Sequence, residues 1–436
     1  MTSFACVILA AGKGTRMKST MPKVMHEVAG MPMINHVITT VSKLNPDKKI
    51  VVIADHMESV KESVKKIDNK ASFAIQHEQL GTAHAVSQTK EYLSSYSGKV
   101  LILYGDTPLI TSDTLERMLE KSVSAEVTVL GMRLTNPYGY GRLLLDEKGH
   151  ISEIIEEKDA NDAQKKINLC NSGVMVVSGK YLFDILSKIT PNNKAGEYYL
   201  TDIIALAGDM NLHCSVVEAD ASELSGVNSR AQLAEAESVI QNRLRKNLLD
   251  SGVTMTDPSS VYLRGDTRIA PDVIIHPNVV FGEEVNIEGG VLIKSFSHIE
   301  GAHIKSGAVV GPFARLRKGS VVGNNANIGN FVELKNTTLG DNAKANHLSY
   351  VGDSEVGNNA NIGAGTITCN YDGVNKHKTI IGEGAFIGSN SSLVAPVKIG
   401  NNSITGAGSV ITTDVPENNL AIERSEQINK QKKVGK

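Results

Sequence analysis

The stretch IIHPNVVFGEEVNIEGGVLIKSFSHI (274–299) decides the fold of the C-terminal half, because its large apolar residues recur every six positions. The residues in phase are Ile275, Phe281, Ile287, Ile293 and Ile299. Hexapeptide repeats of this kind are typical of a parallel β-helix, in which each short strand turns one aliphatic side chain inward and glycine or asparagine takes the tight corner. Three hexads then make one triangular coil, and stacked coils protect one another's edges.

The same period continues along the chain, and its interruptions are where we look for chemistry. It is carried by Val310, Leu316, Val322, Ile328 and Leu334, and again by Ile381, Ile387, Leu393 and Ile399. The phase breaks at ELKNTTLGDNAKANHLSYVGD (333–353) and at TCNYDGVNKHKT (368–379), which concentrate basic, amide and tyrosine side chains around His347. A histidine there could act as a general base, or it could be a corner residue bonded to the backbone.

The N-terminal half follows a different pattern, in which short apolar runs alternate with longer amphipathic stretches. The runs are ACVILAA (5–11), KIVVIA (49–54), KVLILYGD (99–106) and AEVTVLGM (125–132). Nearly continuous apolar strands separated by helices predict a mostly parallel sheet that is covered on both faces. A ligand should bind at the carboxyl ends of those strands. Residues 229–250 then read as one amphipathic connecting helix, stopped by Gly252.

The first apolar run ends in LAAGKGTRM (9–17), which fits neither the dinucleotide-binding fingerprint nor the Walker pattern. Its glycines, Gly12 and Gly14, allow the backbone to approach phosphates closely, and Lys13, Arg16 and Lys23 supply positive charge. Such a stretch alone could be an ordinary surface turn. Its position at the end of a buried strand favours a loop that binds a phosphorylated nucleotide.

Asp106 ends another apolar strand and should face the same crevice. Magnesium often uses one or two carboxylates and completes its shell with water and substrate phosphates. The alternative is that Asp106 caps the helix that follows Pro108. The residues alone do not decide between a metal ligand and a helix cap.

Composition limits the classes of partner. The 436 residues carry a formal net charge of -2, which gives no general attraction to nucleic acid or to an anionic membrane, so small-molecule partners are expected. The apolar run at residues 4–11 is too short to span a membrane. Four isolated cysteines, none in a CxxC pair, suit a reducing cytoplasm.

Several motifs together resemble those of one family. LAAGKGTRM is followed by MPKVMH (21–26), QLGTAHA (79–85), YGDTPL (104–109), GYGR (139–142) and then the hexapeptide repeats. This combination resembles the bifunctional N-acetylglucosamine-1-phosphate uridylyltransferases and glucosamine-1-phosphate acetyltransferases of bacterial cell-wall precursor synthesis. The resemblance covers nearly the whole chain. It implies a Rossmann-like α/β nucleotidyltransferase domain at 1–228, a linker helix at 229–250, and an all-β, left-handed parallel β-helix acetyltransferase domain with a C-terminal tail at 251–436.

The resemblance also implies roles in the first domain. Arg16 and Lys23 would stabilise the reacting phosphates, and Asp106 with Asn228 would hold Mg²⁺. The implied contacts to uracil, ribose and sugar are Ala11, Gly12, Gln76, Gly81, Thr82, Tyr104, Gly141, Glu156, Asn171 and Asn228.

In the second domain the family motif KAxHLxY is matched by KANHLSY (344–350), which makes His347 the implied catalytic base. Arg317, Lys335 and Lys376 would bind the sugar phosphate, while Tyr350 and Asn361 would position the sugar. The implied contacts to acetyl-CoA are Ala364, Asn370, Tyr371, Ser389, Ala407 and Arg424. The basic tail is expected to be disordered, although the CoA phosphates would give its lysines a binding role; these are Lys430, Lys432, Lys433 and Lys436.

The expected protein is therefore a cytoplasmic enzyme that acetylates glucosamine 1-phosphate with acetyl-CoA and then transfers UMP from UTP to N-acetylglucosamine 1-phosphate. The resemblance implies a homotrimer formed through the β-helix. Two alternatives stay open at this point. One is a monofunctional sugar-1-phosphate nucleotidyltransferase whose β-helix serves assembly or regulation, and the other is a non-catalytic hexapeptide scaffold.

Overall fold

A computed structural model describes residues 3–147 and 149–431 of the chain. It divides into two compact units, Met1–Ile240 and Gln241–Lys436. The tail lysines Lys432, Lys433 and Lys436 lie outside the described residues. No helix in the described ranges is both long and apolar enough to span a lipid bilayer.

The N-terminal unit is built on a mixed sheet with the strand order β11-β7-β10-β6-β1-β4-β5, to which β8 and β9 are added beside β10. The pairs β1–β4, β1–β6, β4–β5 and β7–β11 are parallel, and β10 alone runs antiparallel to β6 and β7. The strands are β1 (Phe4–Leu9), β2 (Glu27–Val28), β3 (Met31–Pro32), β4 (Lys48–Ala54), β5 (Ser72–Gln76), β6 (Lys99–Tyr104), β7 (Val127–Arg133), β8 (Arg142–Leu145), β9 (Ile151–Ile155), β10 (Leu169–Ser178) and β11 (Cys214–Glu218).

Helices cover both faces of this sheet, as the continuous apolar strands predict. Along β1, Val7 packs into one core with Val86 and Leu182, whereas Ile8 packs into a second core on the other face. These helices are α1 (Met33–Ser42), α2 (Glu58–Ile67), α3 (Thr82–Ser87), α4 (Lys90–Leu93), α5 (Ser112–Lys121), α6 (Gly179–Leu186), α7 (Ile203–Asp209) and α8 (Ala221–Leu224). A ninth helix, α9 (Arg230–Asp250), contains the boundary between the two units.

Strand β1 is the point from which the parallel strands extend in both directions, towards β4 on one side and β6 on the other. Such a switch point opens a crevice at the carboxyl ends of the strands. Leu9 of β1 is paired with Tyr104 of β6, so the loop after Leu9 and the turn that contains Asp106 begin side by side.

The C-terminal unit is a parallel β-helix, as the hexad period predicts. One ten-stranded sheet forms the first face, and a fourteen-stranded sheet folds over the other two. The first face contains β12 (Thr254–Met255), β14 (Ile274–Ile275), β17 (Leu292–Ile293), β20 (Val309–Val310), β23 (Asn327–Asn330), β25 (Lys344–His347), β27 (Asn361–Ile362), β30 (Phe386–Ile387), β33 (Ile404–Thr405) and β35 (Leu420–Ala421).

The larger sheet carries the remaining strands: β13 (Arg268–Ile269), β15 (Val280–Phe281), β16 (Asn286–Ile287), β18 (His298–Ile299), β19 (Ala302–Ile304), β21 (Arg315–Leu316), β22 (Ser320–Val322), β24 (Glu333–Leu339), β26 (Tyr350–Val356), β28 (Ile367–Cys369), β29 (Thr379–Ile381), β31 (Ser392–Val394), β32 (Val397–Ile399) and β34 (Val410–Ile411). Their inward side chains form one continuous core along the axis. Burial of each large aliphatic residue contributes about 1.5–3 kcal/mol.

The two interruptions of the hexad period have different structural causes. In the first, the inward residues continue but stand five apart at shortened corners, Leu334 to Leu339 and Val351 to Val356, as they also do from Ile299 to Ile304. In the second, 25 residues separate Ile362 from its partner Ile387 on the next coil. The extra length is a loop closed by a bridge between Tyr371 and Lys376. Only the second interruption is therefore an insertion.

One corner of the β-helix carries an exposed stack of aromatic rings. Phe296, Phe313 and Phe331 follow one another on successive coils, with ring centroids 4.9 and 5.1 Å apart. Each has a positive φ of 55–62°, a backbone conformation that is uncommon for a bulky residue. About half of each side chain is exposed, at 52, 45 and 55%. Such exposed apolar surface is typical of an interaction site.

Candidate active sites

The crevice of the N-terminal unit is a cavity of about 780 Å³ at the carboxyl ends of β1 and β6. Eleven of the predicted residues line it, namely Ala11, Gly12, Lys13, Arg16, Lys23, Gln76, Gly81, Thr82, Tyr104, Asp106 and Asn228. Gly141, Glu156 and Asn171 are not among the lining residues. Others that the sequence did not single out also line the wall, including Tyr138, Tyr140, Ser172, Glu197 and Gln232. Of these, only Tyr140 lies within a quoted motif, GYGR.

The basic loop leaves β1 through a tight turn. Gly14 has φ of 60°, and a β-carbon there would lie 2.7 Å from the β-carbon of Lys23. A glycine is therefore needed for the chain to pass Lys23 and enter the short helical turn Thr15–Met17. Arg16 on that turn is exposed and lines the cavity. The loop thus presents the long, exposed side chain of Arg16 and the more enclosed Lys23 to the same space.

Lys23 joins the two predicted metal ligands. Its ammonium forms an ion pair with the Asp106 carboxylate and donates a hydrogen bond of 3.0 Å to Asn228 Oδ1. The backbone N–H of Val227 donates to the Asp106 carbonyl at 2.9 Å, which holds this segment beside the end of β6. The carboxylate and the amide oxygen therefore converge on a position that already suits a cation.

In the structure, Asp106 does not cap the helix that follows it, α5. The residue that caps α5 is Thr111, whose hydroxyl accepts from the Thr114 N–H at 3.3 Å. Asp106 is 9% exposed and directed to Lys23 instead. A carboxylate and an amide oxygen are a donor set that Mg²⁺ accepts when substrate phosphates and water complete its shell. No cluster of three or more acidic, histidine or cysteine residues suited to a metal occurs among residues 3–147 and 149–431.

A second part of the wall is formed by Gln76, Gly81 and Thr82. Gln76 is buried, and its Nε2 donates to the Gly81 carbonyl at 3.1 Å. Gly81 has φ of 125°, and a β-carbon there would lie 2.5 Å from the Tyr198 carbonyl oxygen. The Thr82 hydroxyl accepts from the Leu200 N–H at 3.0 Å. These bonds hold the start of α3 against the cavity in one conformation.

Gly141, Glu156 and Asn171 form a neighbouring group. The Asn171 N–H donates to the Gly141 carbonyl at 2.8 Å, and Thr201 donates to Glu156 Oε1 at 3.3 Å. Burial raises the pKa of Glu156, and the carboxylates of Asp159 and Asp202 raise it further. Burial and the charge of Glu156 also raise the pKa of Tyr104, which connects this group to the lining of the cavity.

In the C-terminal unit, Arg317, Lys335 and Lys376 form a cationic cluster. The ammonium of Lys376 lowers the pKa of Lys335, and Arg317 adds to the effect, because like charges disfavour the protonated form. Arg317 also forms an ion pair of 2.9 Å with Glu333, a partner that the sequence did not indicate. Lys376 comes from the inserted loop. An anion in this cluster would relieve the repulsion.

His347 and several predicted acetyl-CoA contacts occupy one column along a corner of the β-helix. Five residues on successive coils are paired in the strand register, namely Ile328, Ala345, Ile362, Ile387 and Thr405. The residue two positions after each of them stands at the same corner of its coil. The column consists of Asn330, His347, Ala364, Ser389 and Ala407. His347 is exposed, and its Nδ1 is 2.7 Å from Asn330 Oδ1.

The remaining predicted residues lie on different faces. Tyr350 belongs to β26 in the larger sheet, whereas Asn361 belongs to β27 in the ten-stranded sheet. Asn370 begins the inserted loop and donates to the Asp353 carboxylate, a second partner that the sequence did not indicate. Tyr371 and Arg424 are exposed. Asn361 thus lies on a different sheet from Tyr350 and from Lys335 of the cationic cluster.

Comparisons with known proteins agree with this architecture. The MobA-like NTP transferase domain family matches residues 6–163, and the bacterial transferase hexapeptide family (six repeats) matches residues 378–413. A solved UDP-glucose pyrophosphorylase complexed with UDP-glucose covers 56% of this chain with a TM-score of 0.45 and 19% identity, and it adds nothing to the assignment.

Curated relatives match almost from end to end. The bifunctional protein GlmU of Paramagnetospirillum magneticum is 50% identical over 430 residues, which is 98% of this chain and 95% of the relative. That of Zymomonas mobilis is 48% identical over 98% of this chain and 96% of its own length, and that of Stutzerimonas stutzeri is 47% identical over 98% of each. This chain belongs to the GlmU family of bifunctional proteins.

Proposed function

We propose that each unit of this chain carries one of the two transferase activities of its family. The enzyme acetylates glucosamine 1-phosphate and transfers UMP from UTP to N-acetylglucosamine 1-phosphate, which yields UDP-N-acetylglucosamine and pyrophosphate. The observation that carries the assignment of sites is that one chain has both a cationic crevice at a sheet switch point and, in its β-helix, an exposed histidine together with a cluster of three cations.

In the first reaction site, an oxygen of the sugar phosphate attacks the α-phosphorus of UTP, a P–O bond forms, and the bond to pyrophosphate breaks. Two polyanions must meet, so positioning and charge neutralisation dominate the chemistry. Arg16 reaches the phosphates from the turn after β1, and Lys23 stabilises charge from the inner wall. Gln76, Gly81 and Thr82, held by their own bonds, form the wall for uracil and ribose.

Asp106 and Asn228 are the residues that would hold Mg²⁺, since their oxygens already converge on one cation. When bound, Mg²⁺ supplies further neutralisation of the phosphates. With these oxygens on Mg²⁺, Lys23 would pair with phosphate oxygens of the substrates rather than with Asp106. No covalent nucleophile on the protein is required.

The pH dependence of uridylyl transfer should report Glu156. Its raised pKa means that it takes up a proton at a higher pH than an ordinary glutamate, and the neutral acid accepts hydrogen bonds from a sugar hydroxyl less well. As the pH is lowered, we therefore expect kcat/KM for N-acetylglucosamine 1-phosphate to start falling at a pH above the usual pKa of a glutamate, which is about 4.3. Glu156→Gln should remove that limb. An unchanged limb in this variant would exclude Glu156 as its source.

In the second site, the amine nitrogen of glucosamine 1-phosphate attacks the thioester carbonyl. A C–N bond forms, the C–S bond breaks, and His347 takes the proton that the nitrogen loses and passes it to the departing thiolate. Arg317, Lys335 and Lys376 are proposed to bind the sugar phosphate, and Tyr350 with Asn361 the sugar. Ala364, Asn370, Tyr371, Ser389, Ala407 and Arg424 are proposed to contact acetyl-CoA.

This site is proposed to be completed between copies of the chain in a homotrimer. Asn361 and Tyr350 belong to different sheets of one β-helix. A second copy of the chain can therefore supply its Asn361 to the site that contains Tyr350 of the first copy. The exposed stack of Phe296, Phe313 and Phe331 supports an interface at the same corner as the His347 column, since Phe331 directly follows Asn330. A closed ring of three copies would bury it.

Replacing Phe313 by aspartate should break this assembly, because it buries a charge in the middle of the stack. We expect sedimentation to give one third of the wild-type mass, with acetyl transfer lost and uridylyl transfer kept. Val123→Asp, at an exposed apolar residue of the N-terminal unit, is the control and should remain trimeric. A trimeric Phe313→Asp protein would contradict the proposed interface.

The proposed setting is the cytoplasm, where UTP and acetyl-CoA are made and thiols stay reduced. All four cysteines are unpaired, which suits that compartment. The decisive experiment supplies the protein with glucosamine 1-phosphate, acetyl-CoA, UTP and Mg²⁺, omits each in turn, and follows CoA and pyrophosphate separately. Pyrophosphate from N-acetylglucosamine 1-phosphate without any CoA release from glucosamine 1-phosphate would identify a monofunctional nucleotidyltransferase instead.

A further inference from the structure

The bond between Asn330 and His347 is a feature that the proposed chemistry does not by itself require. Asn330 ends β23, His347 ends β25, and the two strands pair in parallel with these residues in register. A β-carbon on Gly329 would lie 1.8 Å from the Asn346 carbonyl oxygen, so the two strands are in close contact just before the pair. The spacing between the asparagine and the histidine is thereby fixed by the backbone.

The geometry of the contact determines which ring nitrogen carries the proton. Asn330 Oδ1 can only accept a hydrogen bond, and it lies 2.7 Å from His347 Nδ1, so Nδ1 is the protonated nitrogen of the neutral ring. Nε2 then keeps its lone pair. Among residues 3–147 and 149–431, nothing bonds to Nε2.

We propose that Asn330 is a positioning residue for acetyl transfer, which fixes the tautomer and the direction of the His347 ring. This inference rests on the proposed function of His347 as the base. Asn330 stands on the coil before His347, whereas the column residues Ala364, Ser389 and Ala407 stand on the coils after it. The asparagine therefore holds the ring from the side opposite to the proposed acetyl-CoA contacts and leaves Nε2 for the amine.

The charged groups around the His347 ring are few, so its contact with Asn330 can be tested by introducing a charge at position 330. Neither strand paired with β25 carries a titratable side chain, since β23 is Asn-Ile-Gly-Asn and β27 is Asn-Ile. The nearby charged groups are Lys344 on the same strand and, beyond the corner, Lys335 and the Glu333 that pairs with Arg317. A carboxylate at position 330 would thus be the one acidic group in direct contact with the ring.

The test uses the full chain and three substitutions. Asn330→Ala should lower kcat for acetyl transfer by about 10- to 100-fold, the cost of a misdirected catalytic group, with KM for both substrates nearly unchanged. Asn330→Asp keeps the acceptor and should restore kcat, but its charge favours the protonated imidazole. The acid limb of kcat/KM should therefore move to higher pH. Asn327→Ala, on the same strand, is the matched control and should behave as wild type.

Two results would overturn the inference. One is an Asn330→Ala enzyme whose kcat equals that of Asn327→Ala. The other is an Asn330→Asp enzyme whose kcat stays as low as that of Asn330→Ala, because an acceptor that fixes the direction of the ring should restore turnover. Failure of the proposed function is recognised separately, since His347→Ala would then retain acetyl transfer.

Discussion

Replacement of His347 by alanine is expected to reduce acetyl transfer to glucosamine 1-phosphate by about 10²- to 10⁴-fold, the range for loss of a general base. The ring is exposed and bonded through one nitrogen only, so its removal leaves no buried group unpaired. Folding should be unaffected. Uridylyl transfer by the same protein should be unchanged, because its proposed residues all belong to the other unit. Release of CoA and release of pyrophosphate measure the two activities on one preparation.

His298→Ala is the matched control, because this histidine is also exposed on a strand of the β-helix but lies outside the column. It should retain both activities. Equal losses in the two variants would show that any change in the β-helix impairs acetyl transfer, and full acetyl transfer by the His347 variant would refute the proposed base.

Replacement of Asp106 by alanine is expected to have the opposite effect, a loss of about 10²- to 10³-fold in uridylyl transfer with acetyl transfer kept. Two causes act together. The variant loses a proposed Mg²⁺ ligand, and Lys23 loses the carboxylate that holds it beside Asn228. Asp106→Asn keeps an oxygen but not the charge, so its activity should be intermediate and should recover partly at high Mg²⁺.

Asp113→Ala serves as the control for this position, since Asp113 is an exposed carboxylate in the first turn of α5. Its uridylyl transfer should equal that of wild type. If Asp106→Ala lost only thermal stability and kept its turnover, Asp106 would be structural rather than part of the reaction site.

The β-helix was predictable because few folds other than a solenoid repeat an aliphatic residue at every sixth position. The structural cause of each interruption was not predictable, because a missing residue and an added loop both shift the phase of the hexad period. At 334–356 the inward positions survive with five-residue corners, whereas near Tyr371 the chain leaves the coil. Register across coils, rather than order along the sequence, separates the two cases.

In the N-terminal unit the sequence predicted the mostly parallel sheet and the ligand-binding loop at the end of its first strand, since both follow from local runs of apolar residues. The antiparallel direction of β10 was not predicted, because strand direction depends on pairing partners rather than on composition. The functional residues that the sequence analysis missed likewise depend on partners that are distant in the sequence. Asn330, Glu333 and Asp353 act through partners 16 or 17 positions away, and although Glu333 and Asp353 bound the interrupted stretch 333–353, nothing in that stretch indicates those partners.

The coil repeat limits how a chain of this kind can change in length. Most coils have 17 or 18 residues, and each coil advances the axis by one strand spacing, about 4.8 Å. A whole coil gained or lost before Arg317 would leave every column aligned and shift the histidine corner along the axis by one fixed increment. A gain or loss of two or three residues within a strand would instead rotate all later side chains to the wrong face, whereas extra residues that leave the coil as a loop, as near Tyr371, keep the columns aligned. Changes of length that preserve the columns are therefore shortened corners, loops that leave the coil, or whole coils, and only a whole coil before Arg317 moves the residues of the acetyl-transfer site along the axis as one block.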